Sequence, residues 1–248
     1  MIQIPLIIHQ IWIGKSISPI INLYMNTFKK QKGFEYKLWC NEDINKHNFP
    51  ITYKYIKRLL SKKKVIYAMI ADLMRLEILY HHGGIYVDAT IECVKPLSFI
   101  FKYKSPFIMS NEKRCGLKCR GKNNMLYISN SFIASIPGYK VLERLLSEKC
   151  LKSIDFNLPA NIATGPYYVR TGIKRHNDVK MLPTSYIYPF SPDKEDPCVS
   201  LEKEKGFRKV KYNDEKSYYI RFPCDVYKRD KVYMVKHWSV GGTWIKKD

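Results

Sequence analysis

A chain of 248 residues with 46% hydrophobic and 26% charged residues can bury a sizeable core, as one large α/β domain or two small ones. Its 14% aromatic content, including 19 Tyr, excludes a disordered chain. The 43 Lys and Arg against 22 Asp and Glu give a formal net charge of +21, which favours anionic partners such as nucleic acid, acidic membrane or phosphorylated small molecules. These positive residues are spread along the whole chain, with loose clusters only at 62–64 and 205–211 and no recognisable nucleic-acid motif, so nucleic acid is not an expected partner.

The opening MIQIPLIIHQIWIG is apolar, but it lacks a basic leader and a small-residue cleavage site, and His9 and Gln10 interrupt it. No segment reaches the ~20 apolar residues of a membrane span. The expectation is a cytoplasmic protein with at most peripheral membrane contact. Residues 4–14 predict a buried first strand closed by Gly14. Residues 19–30 have helical spacing, ended by Gly33, and a short strand follows over 34–39. Asn41-Glu42-Asp43 is a helix-start signal. Residues 64–80 are strongly helical, and Gly83-Gly84 stops them, since glycine readily takes the left-handed conformation after a helix. One strand is predicted over 85–93.

Strand and helix alternate through about the first hundred residues, which implies an α/β layer with a largely parallel sheet. The second half is less regular. It predicts strands near 107–109 and 128–134, helices at 138–149 and 167–171, a loop-rich stretch and a last strand at 232–237. No repeat or clean linker divides the chain, so a single domain is expected. Seven Cys, an odd number, fit a reducing compartment. Cys115 and Cys119 lack the second close pair that a structural zinc site needs.

Three places carry chemistry. On the 64–80 helix, Asp72 and Arg75 are at i and i+3 and share a face with Ala68, Met69 and Leu79. They are either a satisfied internal ion pair or the polar lining of a site. On the 85–93 strand, Asp88, Thr90 and Glu92 share one face. Positions two apart on a strand are ~6.6 Å from each other, close enough for two carboxylates to hold one divalent ion, whereas Glu92 stands ~13 Å from Asp88. Here the second position is a hydroxyl, Thr90. Open α/β sheets place ligands at the carboxyl ends of their strands, so Trp12 and Asp88 border one expected crevice. The third place is MVKHWSVGGTW at 234–244, where His237 is either a packed residue or a ligand.

IPLIIHQIWIG (4–14), YKLW (36–39), ADLMRLEILYHHGGIYVDAT (71–90) and HWSVGGTW (237–244) together resemble the DXD-containing sugar-transfer enzymes of glycosyltransferase family 32, relatives of yeast outer-chain mannosyltransferases. The Asp-Ala-Thr sequence is similar to the capsular polysaccharide synthesis branch of the same broad group. The resemblance implies a GT-A fold, mostly parallel and flanked by helices. It divides one continuous domain into a nucleotide-sugar half (1–97) and an acceptor half (98–248).

The resemblance further implies a retaining hexosyltransferase moving a hexose or N-acetylhexosamine, UDP-linked ahead of GDP-linked, to a glycan, glycolipid or glycoprotein. The lack of a membrane span, which sets the chain apart from Golgi enzymes of that family, leads to the expectation of a bacterial or viral source. The resemblance puts Trp12 on the donor base, with His9, Gln10 and Tyr86 on the same side, and Asp72 and Arg75 on the sugar and ribose. Asp72, Arg75 and Asp88 are the catalytic candidates. Asp88, Thr90 and His237, with Ser239 beside it, would hold Mn2+ or Mg2+ on the diphosphate. Asn130, Thr164 and Gly165 match the acceptor or sugar side. The alternative, favoured by Thr90, is a catalytically weak nucleotide-sugar-binding protein.

Overall fold

Residues 3–112, 127–173, 176–189, 209–211, 218–220 and 230–237 are described by the computed structural model. Cys115, Cys119, Ser239 and the Gly241-Gly242 pair lie outside these residues, as does most of the 205–211 cluster.

The apolar run after Pro5 forms β1 (Ile7–Ile11). Ser18 caps α1 (Pro19–Lys29) by accepting from the Ile21 amide, and Pro19 opens the helix where its missing N–H costs nothing. β2 (Glu35–Trp39) then returns beside β1, and the two pair in parallel. The sequence reading leaves out α2 (Tyr53–Leu60), although its buried Tyr55, Ile56 and Leu59 have helical spacing.

α3 (Tyr67–His82) is apolar on nearly every side, as a helix buried between layers must be. Its buried Glu77 accepts the amides of Ile51 and Thr52 at 2.7 and 2.8 Å, together with the Thr52 hydroxyl, and so anchors the start of α2. Replacing Glu77 by Gln removes one of these acceptors and leaves a buried amide N–H unmatched. The expected cost is about 1–2 kcal/mol, read as a lower urea midpoint with an unchanged slope.

Gly83 and Gly84 both have positive φ, 63° and 89°. A Cβ on Gly84 would stand 2.6 Å from the Ile7 carbonyl oxygen, so this turn has no room for another residue. It delivers the chain into β3 (Gly84–Val87), which pairs in parallel with β1.

Where one strand was expected over 85–93, the chain turns instead at 88–90. The Asp88 amide bonds the Ser131 carbonyl, and the Ile91 amide closes a turn on the Asp88 carbonyl. β4 (Ile91–Cys93) then leaves the main sheet. The equal-spacing argument for Asp88, Thr90 and Glu92 therefore fails, because they do not sit on one continuous strand.

β5 (Phe107–Glu112) and β6 (Tyr127–Ser135) form an antiparallel pair. The helix expected over 138–149 is two helices, α4 (Lys140–Leu146) and α5 (Glu148–Lys152), because Ser147 leaves the helix and caps the second one. α6 (Ala160–Ala163), α7 (Pro166–Ile173) and β7 (Val179–Leu182) follow. β8 (Lys209–Lys211) pairs with β9 (Tyr218–Ile220), and β10 (Met234–Lys236) pairs antiparallel with β4.

The main sheet has the order β2-β1-β3-β6-β5-β7, and β6 alone runs against its neighbours. Tyr86, Ile133 and Met109 face the cluster built with α3, α4 and α7. Ile85, Val87, Phe132 and Ala134 face the opposite cluster, with Phe28, Leu97 and Met234. The result is a mixed, mostly parallel sheet with its core divided between two faces. No described helix is long and apolar enough to cross a membrane.

Candidate functional site

The carboxyl ends of β1 and β3 lie side by side, and the polar groups that the sequence singled out meet there. α3 supplies Asp72 and Arg75, both almost fully buried. The Arg75 Nη2 lies 3.1 Å from the Asp72 Oδ1, while Nη1 donates to the Asn130 carbonyl at 2.6 Å and lies 3.4 Å from the Asp88 Oδ1. Its guanidinium sits over the Tyr86 ring, 4.4 Å from the centroid. The Tyr86 hydroxyl donates to the Asp88 Oδ1 at 2.8 Å. The Asp72–Arg75 ion pair is internal, and it borders the turn that carries Asp88.

Asp72 is held from the second half of the chain. The Asn130 amide donates to its Oδ1 and the Thr164 hydroxyl to its Oδ2, each at 2.8 Å. Asn130 and Thr164, expected on the acceptor or sugar side, are buried and engaged with this carboxylate. Gly165 serves the turn between α6 and α7, where a Cβ would meet the Asn161 backbone at 2.9 Å.

The two carboxylates experience different fields. Burial pushes Asp72 above the usual carboxylate range, against the pull of Arg75 and Thr164. Burial also acts on Asp88, but Lys236 and Arg75 outweigh it and hold Asp88 below that range. Asp88 therefore stays ionised at neutral pH, with 24% of its side chain exposed. Divergent environments for neighbouring acids are typical of working sites.

The sequence reading missed Lys236. Its Nζ lies 2.8 Å from the Asp88 Oδ2 and 2.5 Å from the Thr90 hydroxyl. In a chain with 43 Lys and Arg nothing local marks this one, and only the pairing of β10 with β4 brings it into place.

His237, expected on the metal, instead hydrogen-bonds the Glu92 carboxylate at 3.0 Å and stacks on Tyr24 with centroids 4.2 Å apart. The reason is the break at 88–90, which carries Glu92 into the second sheet opposite Val235 of β10.

His9, expected on the donor side, is buried and committed to the fold. Its Nδ1 accepts from the Trp39 indole at 3.2 Å, so Nε2 carries the proton and donates to the Gly83 carbonyl at 3.0 Å. Burial lowers its pKa to about 4. The unfolded chain takes up this proton near pH 6.5 and the folded chain resists it, so stability falls as pH drops from 6.5 towards 4. The expected loss is on the order of 2–3 kcal/mol, read from urea midpoints across that window. In His9→Gln, which keeps a donor for Gly83, the slope should flatten; an unchanged slope would assign the effect to other groups.

Gln10 accepts from the Tyr36 hydroxyl at 2.9 Å and reaches the Asp88 carbonyl at 3.4 Å, so it supports the turn. Trp12 is half-buried at the end of β1, with its indole donating to the Lys15 carbonyl at 2.7 Å.

The described residues do not by themselves complete a divalent-metal site. One carboxylate, that of Asp88, is partly exposed at the turn, and the ammonium of Lys236 already lies between it and Thr90. Among the described residues no group of three or more His, Cys, Asp or Glu is placed to hold a metal.

A protein of Acanthamoeba polyphaga mimivirus, named as an uncharacterized glycosyltransferase, is 31% identical over 206 residues, 75% of this chain and 74% of that one. Inositol phosphoceramide mannosyltransferase 1 of Schizosaccharomyces pombe is 27% identical over 151 residues, 56% of this chain but 41% of the yeast protein. Among solved structures, the PaToxG glycosyltransferase shares the fold with a TM-score of 0.50 and 18% identity, over 70% of each chain. Fold and relatives define a glycosyltransferase of the GT-A type. The profile of the family described as capsular polysaccharide synthesis protein matches residues 2–149, and the chain belongs to that family.

Proposed function

We propose that the chain moves a hexose or N-acetylhexosamine from a nucleotide-diphosphate sugar, UDP-linked ahead of GDP-linked, to a glycan, glycolipid or glycoprotein acceptor with retention of configuration. The observation that carries this reading is the meeting of Asp72, Arg75 and Asp88 at the carboxyl ends of β1 and β3, where open α/β sheets take nucleotides. Retention and the choice of donor rest on the resemblance to family 32.

In this reading Trp12 stacks on the base and Asp88 faces the diphosphate through the cations around it. Arg75 fixes Asp72 and Asp88 relative to each other. Asp72, oriented by Asn130 and Thr164, binds hydroxyls of the donor sugar. Residues 1–97 form the donor half and 98–248 the acceptor half of one domain, meeting where Asn130 and Thr164 reach Asp72. The odd cysteine count favours a cytoplasmic setting. Mn2+ or Mg2+ is the rival source of positive charge on the diphosphate.

The test is a hydrolysis screen over UDP- and GDP-sugars that reads released nucleoside diphosphate, with and without Mn2+. Turnover of at least one donor is expected. Binding of donors with no turnover under any condition would favour the second reading, a catalytically weak nucleotide-sugar-binding protein, for which Thr90 is the motivating residue.

A further inference from the structure

We propose that Lys236 is the built-in cation of the donor site, a catalytic residue that touches the departing diphosphate in the place where related sites would set a metal. This rests on the donor reading above. A motif with two carboxylates presents two negative charges and calls for a divalent ion. Asp88 with Thr90 presents one, and the Lys236 ammonium lies against both side chains, at 2.8 and 2.5 Å, while Arg75, 3.4 Å from Asp88, is shared with Asp72.

β10 is fixed by its antiparallel pairing with β4, in which Lys236 stands opposite Ile91. The Lys236 amide bonds the Ile187 carbonyl and the next amide, of His237, bonds the Thr90 carbonyl, both at 3.0 Å. Met234 and Val235 before it are fully buried. An ammonium positioned before the substrate arrives stabilises developing charge without reorganisation.

The Lys236 side chain is 11% exposed and the Asp88 side chain 24%, so both are partly accessible, whereas Arg75 and Asp72 are almost fully buried. Thr90 is the exchangeable partner, a neutral hydroxyl that a phosphate oxygen displaces while Asp88 keeps the ammonium in place.

In the transfer step the bond between the sugar C1 and the β-phosphate oxygen breaks, and its electron pair stays on that oxygen. Lys236 remains protonated and hydrogen-bonds the oxygen as charge builds. C1 bonds the acceptor hydroxyl oxygen, and the hydroxyl proton passes to the departing diphosphate. The products are the glycoside and the nucleoside diphosphate.

The experiment uses the full chain in excess EDTA and, separately, in Mn2+. It measures hydrolysis of UDP- and GDP-sugars, and calorimetric binding of UDP and GDP, for wild type, Lys236→Met, Lys236→Arg and the double variant Thr90→Asp/Lys236→Ala. Wild type is expected to turn over its donor equally in both buffers. Lys236→Met should lose about 10²–10³-fold in rate, without rescue by Mn2+, and should bind the nucleotide more weakly in EDTA. Lys236→Arg, which keeps the charge, should retain measurable turnover in EDTA. The double variant should work only with Mn2+. The Lys236 assignment is overturned if wild type is silent in EDTA and restored by Mn2+, or if folded Lys236→Met matches wild type in rate or in nucleotide affinity. Absence of both donor turnover and nucleotide binding under every condition overturns the donor reading, and Lys236 with it.

Discussion

Arg75→Ala is expected to be the most destabilising single change in the site, costing on the order of 3–5 kcal/mol. Arg75 is the common partner of Asp72 and Asp88, at 3.1 and 3.4 Å, and it also ties the Asn130 carbonyl to α3. Its removal leaves the buried Asp72 carboxylate without its cation, and the remaining Asn130 and Thr164 hydrogen bonds do not offset that charge.

The loss should also depend on pH, with a definite sign. Burial already pushes Asp72 above the usual range in the folded protein, and without Arg75 it rises further. A raised carboxylate binds more protons folded than unfolded, so its contribution weakens as pH climbs from the unfolded value through the folded one. Arg75→Ala should therefore be less damaging at mildly acidic pH than at pH ~8. Chemical denaturation of wild type and variant at both pH values checks this. A pH-independent difference would mean that Asp72 is not the group left exposed to the loss.

The second large effect concerns activity. Asp88→Asn preserves shape and an acceptor for the Tyr86 hydroxyl, but it removes the charge that Lys236 and Arg75 hold in place. Turnover of the preferred nucleotide sugar is expected to fall by about 10²-fold or more, the usual cost of disturbing the electrostatics of a transition state. The fold should survive, since a quarter of this side chain is exposed and the Gly83-Gly84 turn and β3 are untouched. Thermal melting alongside the rate measurement separates the two effects. A folded Asp88→Asn protein that turns over donor at the wild-type rate would remove Asp88 from the mechanism.

The site was legible in the sequence wherever local signals fix local structure. Apolar runs closed by glycine mark β1 and the α3-to-β3 turn, and spacing of three along α3 puts Asp72 beside Arg75. The 85–93 stretch was misread because Ile-Tyr-Val and Ile-Glu-Cys are both good strand sequences. Only the bonds from Asp88 to Ser131 and from Ile91 back to Asp88 show that they belong to different sheets. α2 left a readable signal in Tyr55, Ile56 and Leu59.

Lys236 left none. Its meaning depends on a partner 148 residues away in the chain. The same holds for the grip of Asn130 and Thr164 on Asp72, at separations of 58 and 92 residues. His9 was drawn towards the site by its neighbours in sequence. In a β-strand successive side chains point to opposite faces, which gives His9 to Trp39 and Gly83 and Gln10 to the Asp88 turn.

The most direct measurement of the central claim is photolabelling of the full chain with azido-UDP and azido-GDP sugars, followed by mass-spectrometric mapping of the attached peptides. Label on the peptide containing Trp12, suppressed by excess unlabelled nucleotide and reduced in Asp88→Asn, is the expected result. Label confined to peptides away from the ends of β1 and β3, or label that excess nucleotide leaves unchanged, would contradict a donor site built on Asp72, Arg75 and Asp88.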